Sequence, residues 1–317
     1  MEQTRRWRND LRFKKSVNET YLAINDEVRF ALANHQPVVA LESTVIAHGL
    51  PRPQNIATAA RLEQIVRNSG SAPATIAVLD GELCVGLTTQ QIEAIAKSNG
   101  VRKLSTKDLA IAVAEKWNGA TTVASTMWVA HRAGIRVFTT GGIGGVHRGA
   151  LPDVSADLPE LARTPMIVVC SGAKIVLDLP GTREWLETNS VTVIGYQCDE
   201  LPAFYSRRSG LPVDVRCDSP EEVVKIFQAQ HELGMQSALL VTVPVPAEAE
   251  VESALLEKVL DDSLAEAARQ KILGRDVTPF LLARMSEQSK GATLQANIAL
   301  LESNARVAAQ IARALQT

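Results

Sequence analysis

The chain is poor in the groups on which several large function classes depend. Aromatic residues fill 4% of its 317 positions, which removes the stacking platforms of a single-strand nucleic-acid binder. Charge is nearly balanced, at a formal net −2, so the composition points to neither nucleic acid nor an anionic membrane as a partner. No apolar stretch reaches the length needed to span a bilayer. There are four cysteines, Cys84, Cys170, Cys198 and Cys217. They show neither C-x-x-C pairing nor zinc-ligand spacing, and reduced thiols in a cytoplasmic protein are the expectation. Internal repeats, low-complexity tracts and long linkers are lacking as well.

What the chain has is apolar content, 46% of residues, enough for a large buried core. Short aliphatic runs, among them Pro37–Leu41, Thr75–Leu79, Val101–Leu104, Ile135–Thr139, Met166–Cys170, Val191–Tyr196 and Ser237–Val243, alternate with helical periodicity. That alternation predicts an α/β fold, a three-layer α/β/α arrangement with a mostly parallel central sheet covered on both faces. Asp80-Gly81 between two apolar runs signals a hairpin, so the sheet is expected to be mixed. Over Ala292–Leu315 the residues Leu294, Ile298, Leu301, Ala305, Ala308, Ala312 and Leu315 form one apolar stripe suited to close helix packing or a subunit contact. Residues 1–17, rich in arginine and lysine, read as a mobile or loosely packed extension, and residues 18–317 as a single catalytic domain.

In an open α/β sheet, ligands bind beyond the carboxyl ends of the strands. The reactive residues stand at those ends. Lys174 follows Met166–Cys170 on a Ser-Gly-Ala turn, where apolar walls disfavour the ammonium and a neutral amine can attack a carbonyl carbon. A solvated, ion-paired lysine is the alternative. Glu42 ends the first long run and suits a general acid, or else a cap or salt bridge. Lys103 and Ser105 suit a phosphate, or Lys103 is simply a solvated lysine. Thr139–Gly145 holds four glycines, so the backbone can approach a ligand closely; His147 stands where a dinucleotide fingerprint needs glycine. Asp153 and Asp157, flanking Ser155, can hold a divalent cation, or one of Asp153 and Ser155 can cap a helix starting at Ala156. Asn297 lies beside the apolar stripe, where a buried amide could read the edge of a base or simply satisfy nearby backbone.

Together, Val39-Ala-Leu-Glu42-Ser-Thr-Val-Ile-Ala-His48-Gly-Leu-Pro51, Thr140-Gly-Gly-Ile-Gly-Gly-Val-His147-Arg148, Asp153-Val-Ser-Ala-Asp157-Leu and Ser171-Gly-Ala-Lys174 resemble the pseudouridine-5′-phosphate glycosidase family, which includes the indigoidine-synthase-A-like proteins. Thr121–Met127, Pro202–Ser206, Val277–Leu282 and Ala296–Ile298 extend the match, in order, over about nine-tenths of the chain. The resemblance implies reversible hydrolysis of the C–C glycosidic bond of pseudouridine 5′-phosphate to uracil and ribose 5-phosphate through a lysine imine. It also implies a homotrimer using a divalent metal, usually manganese (Mn2+). Carried onto this chain, Lys174 is the nucleophile, Glu42 the proton donor and Asp153 the metal ligand. Substrate-binding positions fall on Lys103, Val123, Ser155, Ala156 and Asp157, while Thr140, His147 and Asn297 match positions lining the pocket. Ser171 and Ile175 depart from the smaller residues of the pattern, and the loop from His147 to Asp153 is shorter. The competing readings are a lysine-dependent aldolase on another sugar phosphate, the same mechanism on a different base, and a non-catalytic nucleotide sensor.

Overall fold

The computed structural model describes residues 21–148, 153–272 and 277–316. The extension expected over residues 1–17 lies outside them, as do residues 149–152 of the loop between His147 and Asp153. The strands are β1 (Leu22–Ile24), β2 (Val38–Leu41), β3 (Ala72–Leu79), β4 (Glu82–Val85), β5 (Arg102–Leu104), β6 (Gly119–Thr121), β7 (Val137–Thr139), β8 (Ile167–Cys170), β9 (Thr192–Tyr196), β10 (Val215–Cys217) and β11 (Leu239–Thr242). The helices are α1 (Asp26–Ala33), α2 (Gln54–Asn68), α3 (Thr89–Lys97), α4 (Leu109–Ala114), α5 (Val123–Arg132), α6 (Asp157–Leu161), α7 (Leu179–Thr188), α8 (Pro220–Glu232), α9 (Ser253–Arg269), α10 (Val277–Gln288) and α11 (Ala292–Ala314).

One sheet collects all eleven strands in the order β1-β4-β3-β2-β7-β8-β11-β9-β10, with β6 beside β3 and β5 beside β6. From β3 to β10 every neighbour is parallel. The central strands β2, β8 and β11 are Val-Val-Ala-Leu, Ile-Val-Val-Cys and Leu-Leu-Val-Thr, buried at every residue. Continuous aliphatic runs of that kind belong to a sheet covered on both faces. The antiparallel part begins where β3 passes Thr75. Its second half pairs with β4 on one side and β6 on the other, and β4 returns through Asp80 and Gly81, at φ +49° and +81°. Two consecutive left-handed residues make a tight hairpin whose twist matches its strands. The three-layer, mixed and mostly parallel arrangement expected from the alternation is therefore present.

Several elements escaped the sequence pattern. Strands β1, β6 and β10 are three residues each, too short for a period-two signal. Helix α10 was obscured by Pro279, which is tolerated because it lies in the first turn, where its missing N–H has no intrahelical partner to lose. The apolar stripe of α11 is buried at Leu301, Ala305, Ala308 and Ala312. Leu294 and Ile298 are half-buried, while Thr293, Asn297 and Asn304 face the interior. The helix lies on β2, β7 and β8 and against α2 and α8. Its inner face meets polar strand ends as well as side chains, and amides are needed there.

Candidate active site

Three adjacent parallel strands, β2, β7 and β8, end side by side. Neighbouring strands lie about 4.8 Å apart. Glu42 after β2, Thr140 after β7 and the turn to Lys174 after β8 thus stand along one edge, the outer two separated by about two spacings, roughly 10 Å. A cavity of about 480 Å3 opens over that edge. All eleven site residues expected from the sequence line it: Glu42, Lys103, Val123, Thr140, His147, Asp153, Ser155, Ala156, Asp157, Lys174 and Asn297. Helices α10 and α11 close it from above through Thr278, Pro279, Leu282 and Asn297.

Glu42 is buried, 9% exposed, and both of its oxygens are taken. The Thr140 hydroxyl donates to Oε1 and the Thr44 hydroxyl to Oε2. The carboxyl group is held from two sides by hydroxyls, which can either donate or accept. Lys174 is half-buried. Its backbone N–H donates to Ile143 O at 3.1 Å, and Ile143 N–H donates to Gly172 O at 3.1 Å, so the lysine turn is zipped to the glycine-rich loop. Gly172 has φ +81°, and a methyl group there would overlap the Pro202 carbonyl. Only glycine fits that approach.

The glycine-rich stretch is held by Asp157. Its Oδ1 accepts from Ala124 N at 3.0 Å, in the first turn of α5, and its Oδ2 accepts from Gly144 N at 2.8 Å. An anion at a helix N-terminus is favourable electrostatically. Both Asp157 oxygens are thereby committed to backbone donors. The spacing argument that paired Asp157 with Asp153 around a cation is corrected on this point, because only Asp153 presents an exposed carboxylate. Nor does Asp153 cap a helix: Ser155 Oγ accepts from Asp157 N at 3.3 Å as α6 begins. Among the described residues no group of three His, Cys, Asp or Glu side chains is arranged to share a metal. Asp153, with Ser155 on the same wall, offers oxygen donors of the kind a hard divalent cation takes.

Thr44, His48 and Lys107 also line the cavity and were not singled out from the sequence. Thr44 had a signal, a hydroxyl two residues past a candidate acid. Lys107 had none, since its place on the wall comes from the short turn Thr106–Asp108.

A family model described as indigoidine synthase A-like protein matches residues 27–314. The chain belongs to the indigoidine synthase A-like family. A relative from Geobacillus kaustophilus, named pseudouridine-5′-phosphate glycosidase, is 50% identical over 297 residues, covering 93% of this chain and 99% of its own. One of the same name from Staphylococcus aureus is 48% identical, covering 94% and 97%. Two solved structures of family relatives share the fold. The indigoidine synthase A-like protein of Thermotoga maritima superposes with a TM-score of 0.87 at 37% identity, covering 96% of this chain and all of that one. The prealnumycin C-glycosynthase AlnA, solved in complex with ribulose 5-phosphate, gives 0.86 at 40% identity, covering 93% and 97%.

Proposed function

We propose that this chain is a pseudouridine-5′-phosphate glycosidase, an enzyme that hydrolyses the bond between C1′ of ribose 5-phosphate and C5 of uracil and can run the condensation in reverse. The observation that carries the reading is full-length similarity, near 50%, to relatives of that name, on a chain whose cavity gathers Lys174 and Glu42.

The chemistry asks for both groups. An ordinary glycosidase protonates a leaving oxygen and passes through an oxocarbenium-like state. Here the leaving atom is carbon, which carries no lone pair for that proton. Lys174 as nucleophile bonds to C1′ as the C1′–O4′ bond opens, and its nitrogen then donates its lone pair to form the imine as uracil, protonated at C5, leaves with the electrons of the C–C bond. Glu42, aimed by Thr44 and Thr140, moves protons for ring opening and for the departing base. Lys103 and the glycine-rich backbone hold the phosphate, and binding energy from that remote group orients C1′ against the amine. Asn297 faces the base. Asp153 would hold the metal, for which we propose manganese, and the ion would neutralise phosphate charge.

A homotrimer in the cytoplasm completes the proposal; its support is the resemblance and four free thiols, three of them buried. No helix among the described residues is long and apolar enough to cross a membrane. A second reading, synthesis of a C-glycoside on another acceptor, is favoured by the likeness to AlnA. The test is borohydride reduction with ribose 5-phosphate followed by peptide mapping, alongside absorbance assay of uracil release. An adduct on the Lys174 peptide and free uracil are expected. An adduct elsewhere overturns the lysine assignment; an adduct without uracil release moves the chain to the second reading or to an aldolase.

A further inference from the structure

Asn304 sits two helical turns beyond Asn297 on α11, on the same face. It is fully buried and lines no part of the cavity. Its side chain nevertheless reaches both strand ends that carry the chemistry. Nδ2 donates to Thr140 O at 2.9 Å and lies 3.4 Å from Gly141 O. The Ser171 hydroxyl lies within hydrogen-bond distance of both ends of the amide, 3.1 Å from Nδ2 and 3.2 Å from Oδ1. Ser171 opens the turn to Lys174, and Thr140 holds Glu42. A continuous path therefore runs from Glu42 through Thr140 and Asn304 to Ser171, three residues before Lys174.

Burying an amide among carbonyls is costly unless each polar atom is matched, and a matched network specifies one arrangement of the segments it joins. An apolar residue here would pack as well against β7 and β8 but would leave the Thr140 carbonyl without this donor. We propose that Asn304 is a positioning residue, a bracket that fixes the proton-shuttling carboxylate relative to the nucleophilic amine although it touches neither substrate nor reacting atoms. The proposal rests on the function assigned above. Because displacement of a reacting group by about 1 Å can lower turnover roughly 100-fold, losing the bracket should act on kcat while leaving phosphate-driven binding intact.

The experiment compares the full-length enzyme with Asn304→Leu and Ser171→Ala, assayed where circular dichroism shows all three folded. Uracil release gives kcat and KM for pseudouridine 5′-phosphate. Hydrogen exchange read by mass spectrometry, without substrate, follows the Thr140–Gly145 and Ser171–Lys174 peptides. For Asn304→Leu, kcat should fall about 10- to 100-fold with KM little changed, and exchange should rise in both peptides together. For Ser171→Ala, exchange should rise in the lysine peptide alone. Wild-type kcat and unchanged exchange in a folded Asn304→Leu protein would overturn the proposal. If that variant fails to fold, unchanged exchange and turnover in Ser171→Ala overturn it instead. A wild-type enzyme that releases no uracil sinks the assigned function, and exchange alone then judges the bracket.

Discussion

Replacing Gly172 by alanine probes the link between backbone strain and the lysine turn. The residue has φ +81°, and an added Cβ would overlap the Pro202 oxygen and lie 3.1 Å from its carbonyl carbon. A left-handed conformation costs a non-glycine residue about 1–2 kcal/mol. Forcing a methyl group into a packed site costs about 1–3 kcal/mol more. The sum, about 2–5 kcal/mol, is a large part of the stability of an ordinary domain. Neither obstacle can relax cheaply, because the blocking atom is backbone and Phe204 N is bonded to Ser171 O at 3.0 Å. Relief must come from moving the turn, and Lys174 is two residues away. Urea unfolding followed by circular dichroism should show a lower midpoint, and turnover should fall by about 100-fold as the amine shifts. Wild-type stability together with wild-type turnover would refute the reasoning, since the overlap would then have been absorbed without displacing the lysine.

Glu42→Gln should fold normally, keeping an acceptor for one threonine, yet lose about 100-fold or more in kcat; near-wild-type rates remove Glu42 from proton transfer. Asp153→Ala should abolish activation by added manganese in chelator-treated enzyme, and an unchanged response would leave Asp153 without a metal role. Burial raises the thiols of Cys84 and Cys198 to about 11 and that of Cys170 to about 12, so at pH 8 they remain protonated. Maleimide labelling of the native protein should be slow at these three and fast in urea. Burial, its largest cause, also raises the Glu63 carboxyl above its ordinary 4.5, against opposing bonds from Thr75 and Arg67. A proton held more tightly in the folded state stabilises below the unfolded pKa, and the gain is lost as pH rises through the folded one. Glu63→Gln should therefore flatten the decline in stability on the alkaline side of that value, measured by thermal unfolding across pH.

The places of the candidate residues were legible because each follows a run that announces itself locally. Val38–Leu41 and Ile167–Cys170 are apolar at every position, so Glu42 and Lys174 could be placed at strand ends before any pairing was known. Asp157 was legible as a site residue, but its commitment to Ala124 and Gly144 was not, because both partners lie more than ten residues away. Strand β6 was invisible for a related reason. Its Gly-Ala-Thr pairs with β3 and β5 because small residues admit close backbone approach, and nothing in three residues advertises the neighbour.

Local patterning by itself determined the alternation of strand and helix, the hairpin at Asp80-Gly81 and the candidate groups at the strand ends, since those depend on side-chain period and turn chemistry within a few residues. Tertiary structure alone decided that β2, β7 and β8 are neighbours, which brings positions 42, 140 and 174 to one edge. It also decided that Asn304 reaches Thr140 and Ser171 across 164 and 133 residues. Strand order and helix docking are set by which surfaces bury one another, and that choice is made by the whole core at once.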